Sequence, residues 1–166
     1  SWVMAQVDGL EGLDEPRTPA PAAAAAMVCF QNDVRAAMTF GTVGHALRGE
    51  TNQWYQFGME VYGTHGHIKV TLNQTWQLTT YADGRTVTGE SSWDRDYIHA
   101  QTAHLDATAR YARDPSVGHV SDREKSSLSY QVVMAIYASG CDGGLVELPR
   151  RFDDDLISRL RARGTR

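Results

Sequence analysis

The stretch Phe57–Leu72, "FGMEVYGTHGHIKVTL", decides how the chain reads. Before its glycines the apolar side chains hold odd positions: Tyr55 just upstream, then Phe57, Met59 and Val61. After them they hold even ones, Ile68, Val70 and Leu72. A period of two marks a strand with one face on a core. The change of parity is what a two-residue hairpin loop requires. Thr64-His65 as that loop sets Gly63 opposite Gly66 and Val61 opposite Ile68. Slipping the pairing by one residue would turn every apolar side chain to the wrong face. His65 then lies in the turn, and His67 opens the next strand, pointing away from Ile68. A zinc site draws on three or four converging ligands. No cysteine, aspartate or glutamate nearby has ligand spacing with this pair. The corner of a hairpin is the preferred reading, and no metal ligand is assigned.

Working outward, Trp76, Leu78 and Thr80 continue on even positions. A loop at Asn73–Thr75 would set Leu72 opposite Trp76. A type I′ turn at Asp83-Gly84 would set Thr80 opposite Val87. The rows Phe57/Leu72/Trp76, Met59/Val70/Leu78 and Val61/Ile68/Thr80/Val87 then share one face. The other face carries Tyr62, His67, Lys69, Thr71, Gln77, Thr79 and Tyr81, polar but rich in aromatics. Upstream, Trp2–Val7 reads as a strand and Asp8–Pro21 as a loop. Ala22–Gln31 and Val34–Val43 flank the turn pair Asn32-Asp33, a hairpin of open register.

The second half is helical. Ile98, Thr102, Leu105, Ala109 and Ala112 recur at spacings of four and three between Tyr97 and Arg113. A neighbouring stripe holds Tyr97, Gln101, His104, Thr108 and Tyr111. Asp114-Pro115 ends this helix. Ser121-Asp122-Arg123-Glu124 has the pattern of a capping box. It opens a helix with the stripe Leu128, Val132, Ala135 and Ile136, and Gly140 is its expected stop. Leu145–Leu148 reads as a short strand and Phe152–Arg163 as a last helix. Strands followed by helices give an α+β fold: an open, mainly antiparallel β-sheet with helices packed on one face.

Composition excludes several classes. With 42% hydrophobic residues, 22% charged and a net charge of -4, the 166 residues suit one globular domain. Neither sign forms a long run, so no nucleic-acid surface is expected. No apolar stretch has the length to span a bilayer, so no membrane role is expected. Cys29 and Cys141 show no CxxC spacing and read as reduced thiols of a cytoplasmic protein. No GxGxxG, Walker or GxSxG motif occurs. "GTVG" at Gly41–Gly44 and "GCDGG" at Gly140–Gly144 have the wrong spacing. Asp94 and Asp96 read better as caps of the helix that follows than as an acid–base pair.

Three stretches together resemble a known family. "FGMEVYGTHGHIKV" is similar to an E-V-x-G-x-x-G-x-I-x-V hairpin, with Glu60, Val61, Gly63, Gly66, Ile68 and Val70 at those positions. "WDRDYIHAQTAHLDATARYARDP" is similar to a loop and helix after the meander. "SDREKSSLSYQVVMAIYASGCDGGLVELP" is similar to a closing helix, short strand and proline. The family is that of glucose-fructose oxidoreductase, inositol dehydrogenase and the rhizopine-catabolism proteins (Gfo/Idh/MocA). The likeness is to its C-terminal domain and covers about Trp2–Pro149.

The resemblance implies a substrate and oligomerisation domain over residues 1–149, with 150–166 as a helical extension. It implies a longer NAD(P)-dependent oxidoreductase acting on a sugar or polyol. NAD or NADP would bind an N-terminal Rossmann domain. Neither a dinucleotide fingerprint nor the family's Glu-Lys-Pro occurs here, so no catalytic or cofactor-binding residue is assigned to this chain. The positions matching the family's substrate cleft run from Trp93 to His104. Among them Tyr97, Gln101 and His104 share a stripe and are the candidate substrate-binding residues. A partly solvated helix face is the plainer alternative. The open sheet face would make a homo-oligomer, with a simply solvated antiparallel face as the plainer alternative. A stand-alone, non-catalytic ligand-binding or scaffold module of the same fold is the other reading.

Overall fold

A computed structural model describes residues 1–8, 21, 23–41, 57–71, 74–90 and 92–164. Eight strands form one sheet in the order β7-β6-β5-β4-β3-β2-β1-β8. They are β1 Trp2–Asp8, β2 Ala23–Cys29, β3 Arg35–Gly41, β4 Phe57–Tyr62, β5 Gly66–Thr71, β6 Thr75–Thr80, β7 Thr86–Glu90 and β8 Leu145–Glu147. Every neighbouring pair is antiparallel. The helices are α1 Trp93–Arg113, α2 Arg123–Asp142 and α3 Leu156–Gly164, with a 3-10 turn at Pro115–Val117. The architecture is α+β, an open antiparallel sheet, as the alternation and element order imply. The sequence-expected loop of residues 9–20, together with Val43, Tyr55 and Leu72, lies outside the described residues.

The opening hairpin pairs as its glycines require. Val61 stands opposite Ile68 and Tyr62 opposite His67. Gly66 is needed for space. A Cβ there would lie 2.3 Å from the Thr79 carbonyl oxygen, which belongs to the backbone of the next strand.

Further along, the register differs from expectation by two residues. Trp76 pairs with Val70 rather than Leu72, and Val87 pairs with Leu78 rather than Thr80. For β6–β7 the reason is turn length. Thr80 N donates to the Arg85 carbonyl at 2.9 Å, so residues 81–84 all belong to the turn. Asp83 Oδ1 accepts from Arg85 N at 3.0 Å and stiffens it. A shift of two preserves which side chains share a face. The β2–β3 hairpin closes around Asn32-Asp33, with Phe30 N bonded to the Val34 carbonyl at 2.9 Å. Asp33 takes φ 61, the left-handed position of a three-residue hairpin loop.

The core lies where α2 crosses β1. Val3, Val7, Ala26, Val28 and Ala36 from the sheet meet Met134, Ala135, Ile136 and Ala138 from α2 and Val146 from β8. Gly140, expected to stop α2, lies inside it. A Cβ on Gly140 would stand 2.4 Å from a Val7 methyl, so the glycine permits helix–sheet contact. The helix ends instead at Gly143, with φ 79. Asp122, not Ser121, caps its start, accepting from Lys125 N at 2.9 Å. Leu156 and Leu160 of α3, each 1% exposed, join the same core.

Candidate functional site

Helix α1 carries all three candidate residues. Its start is fixed by a reciprocal cap. Ser92 Oγ accepts from Arg95 N at 3.3 Å, and Asp96 Oδ2 accepts from Ser92 N at 3.2 Å. Asp96 thus serves the helix terminus, as its position after the meander suggests. Hydrogen bonds from the Arg95 guanidinium, then from Ser92 N, hold its carboxyl below the usual range.

The polar stripe of α1 divides into two parts. Tyr97 and Gln101 lie in the exposed N-terminal half. His104 lies one turn further and meets His119, their rings edge-on with centroids 4.9 Å apart. Thr108 donates to the His104 carbonyl at 2.8 Å and its Oγ1 lies 3.4 Å from His119 Nε2. The Tyr111 ring stands 5.9 Å from the same imidazole. His119 is buried, and its Nδ1 accepts from Ser121 N at 3.0 Å. That bond places the proton of the neutral ring on Nε2, toward Thr108. Lys125 Nζ donates to the His119 carbonyl and to Asp122 Oδ2, both at 2.7 Å. The stripe therefore runs from exposed groups able to meet hydroxyls to a cluster joining α1 to α2.

His119 was not linked to the stripe by sequence. Only spatial folding brings it beside His104, because the 3-10 turn reverses the chain between them. The sole hint was the continuation of the stripe through Thr108 and Tyr111.

The open sheet face holds a second arrangement. Lys69 Nζ lies 2.8 Å from Glu60 Oε1, and the Tyr62 hydroxyl donates to the same carboxylate. That bond raises the Tyr62 phenol above its ordinary pKa. Tyr62 stacks on His67 with ring centroids 5.5 Å apart, and Tyr81 follows at 5.7 Å. Nearer β1 the same face becomes apolar, with Met4, Ala25, Met27 and Ala37 lining a shallow depression. Among the described residues no group of three histidine, cysteine or acidic side chains could hold a metal ion. No helix among them is long and apolar enough to cross a membrane.

No family model and no curated protein matches the chain. A solved structure does: an oxidoreductase from Agrobacterium radiobacter in complex with NAD+, L-tartaric acid and magnesium. The TM-score is 0.59 at 16% identity, over 89% of this chain. The chain shares its fold with part of an oxidoreductase. It spans 43% of that protein's length.

The "GCDGG" segment does not cradle a pyrophosphate. The glycines of "GCDGG" that have positive φ, Gly143 and Gly144, follow the C-terminus of α2. There the helix dipole is negative, whereas pyrophosphate is held at a helix N-terminus.

The carboxyls capping α1 and α2 give a pH prediction. Asp96 and Asp122 are both held below their ordinary range, Asp122 chiefly by its hydrogen bond from Lys125. Lowered folded pKa values stabilise the fold above the unfolded carboxylate value and lose that effect as pH falls through the folded values. The melting temperature should hold from about pH 7 to about pH 5 and fall below about pH 4. Thermal melts followed by circular dichroism check this. A fall centred near pH 6.5 would instead implicate a histidine.

Proposed function

We propose that this chain is the substrate-binding and oligomerisation domain of a cytoplasmic, NAD(P)-dependent sugar or polyol oxidoreductase. The supporting observation is a shared fold over 89% of this chain with part of an NAD+-bound oxidoreductase. NAD or NADP belongs to the remainder of the longer polypeptide, where it exchanges hydride with the substrate. This chain contributes binding and position. Tyr97, Gln101 and His104 are its proposed substrate contacts. Tyr offers a phenol and a ring face, Gln both donates and accepts, and His does either according to tautomer. That range suits vicinal hydroxyls. The His104 ring meets His119 edge-on.

Homo-oligomer formation is assigned to the open sheet face. Its apolar depression and flanking Tyr62–His67–Tyr81 row give an apolar centre with a polar rim, the usual anatomy of an interface.

Replacing Gln101 and His104 together with alanine in the intact enzyme should raise KM for the sugar about tenfold or more and leave cofactor affinity unchanged. Losing one or two hydrogen bonds to substrate is worth about 1–3 kcal/mol. Steady-state kinetics check it, and an unchanged KM would remove both residues from the site.

A further inference from the structure

Between β7 and the buried half of α2 the chain is nearly all surface. Among the described side chains from 92 to 133 only His119 is buried, at 8% exposed. A polar ring is a costly occupant of that position unless its nitrogens are hydrogen-bonded. Both of them are. Nδ1 accepts from Ser121 N at 3.0 Å, so in the neutral ring the proton sits on Nε2. Nε2 lies 3.4 Å from Thr108 Oγ1 and is the donor there. The Thr108 proton is committed to the His104 carbonyl at 2.8 Å, which leaves Oγ1 a lone pair to accept with. The bonds run in one direction, from the His119 ring through the Thr108 hydroxyl to the backbone of His104. A single tautomer of His119 permits this.

His119 also meets His104 directly, ring edge on ring, with centroids 4.9 Å apart. Its own backbone is fastened to α2. Lys125 Nζ donates to the His119 carbonyl and to Asp122 Oδ2, both at 2.7 Å, and Asp122 is the residue that caps α2. The other fixed end of α1 is its first turn, with the Ser92 cap and Arg95 on the Glu90 carbonyl. The three candidate residues lie between these ends. His104 belongs to the His119 joint, Gln101 lies one turn before it and Tyr97 two turns before it. Loosening the joint therefore displaces His104 most and Tyr97 least.

We propose that His119 is the positioning residue of the α1 substrate stripe, acting through the Thr108 hydroxyl on the backbone of His104. It touches no substrate itself. The inference rests on the reading of α1 as a substrate wall and adds to it the part that sets the wall in place. A histidine suits the task because one ring both accepts from Ser121 N, next to the α2 cap, and donates toward α1. Phenylalanine would fill the same space and make neither bond.

Two readouts on the intact enzyme test it. Thr108 is exposed, so Thr108→Val removes the relay hydroxyl while the fold is kept, and Thr108→Ser retains the hydroxyl. Amide hydrogen exchange reads the joint without substrate. Thr108→Val and His119→Phe should exchange several-fold faster than the native protein over residues 104–113, and Thr108→Ser at the native rate. Steady-state kinetics read the consequence, with NAD+ or NADP+ and whichever of myo-inositol, D-glucose and D-sorbitol is oxidised fastest. Thr108→Val should raise KM about five- to tenfold with kcat within about twofold, and Thr108→Ser should restore the native KM. Native exchange rates in Thr108→Val would overturn the joint. Faster exchange with an unchanged KM would leave His119 a merely structural residue and overturn the positioning role. The Gln101→Ala, His104→Ala double variant separates the two failures. If it raises KM and Thr108→Val does not, the substrate reading stands and this inference falls. If neither raises KM, the substrate reading has failed and this inference falls with it.

Discussion

Leu156→Ala should lower the unfolding free energy by about 3–5 kcal/mol, the upper range for a buried leucine. Leu156 and Leu160 are each 1% exposed and fall one turn apart on α3. The helix has nine residues, too few to persist alone in water. It exists because these two leucines are buried in the core beside α2. Arg159 then pairs with Asp142 at 2.7 Å, and Arg163 donates to the Cys141 carbonyl at 2.7 Å, at the free end of α2. These exposed contacts are worth little by themselves. Removing the Leu156 side chain leaves a cavity where α3 is anchored to the core. Total stabilities of about 5–15 kcal/mol make such a loss a large fraction of the whole. Urea denaturation measures it, with a lowered midpoint and an unchanged slope. A loss below about 1 kcal/mol would mean that α3 is not part of the cooperative core.

Ser139→Ala should cost about 2–4 kcal/mol, although it removes a single oxygen. β8 pairs with β1 only from Trp2 to Met4. The next edge-facing backbone groups of β1 belong to Ala5. Ser139 Oγ accepts from Ala5 N at 2.8 Å and donates to the Gly144 carbonyl at 2.6 Å. The hydroxyl therefore supplies the rung that β8 is too short to make. Ser139 is 1% exposed, so water cannot replace it. Alanine would leave a donor and an acceptor unpaired in the core, each costing about 1–3 kcal/mol. Ser139→Thr keeps the hydroxyl and separates bonding from packing. Equal stability of Ser139→Ala and the native chain would show that the rung carries no weight.

The sheet was legible because apolar and polar side chains alternate along the meander strands, which gives each strand an apolar face. The two-residue register shifts were not legible, since displacement by two leaves every side chain on the same face. Asp83-Gly84 has the composition of a two-residue turn, yet the wider turn is held by Thr80 N and Arg85 O, which no residue type announces. Gly140 reads as a helix stop because glycine favours helix ends. Its role against Val7 depends on a neighbour more than a hundred positions away in sequence. The candidate site was partly legible. Periodicity placed Tyr97, Gln101 and His104 on one stripe of α1, while the His104–His119 contact needed the reversal at Pro115–Val117. The apolar stripe of α1 was also read from spacing, but spacing cannot say which surface covers it.

The central claim is that this sequence is the substrate and assembly part of a two-part enzyme. The intact mass of the natural polypeptide containing it tests that claim most directly. Roughly twice the 18.4 kDa of these residues is the predicted result, leaving room for a cofactor-binding domain. A mass equal to these residues alone would contradict it, and the chain would then be a binding module without its own redox chemistry.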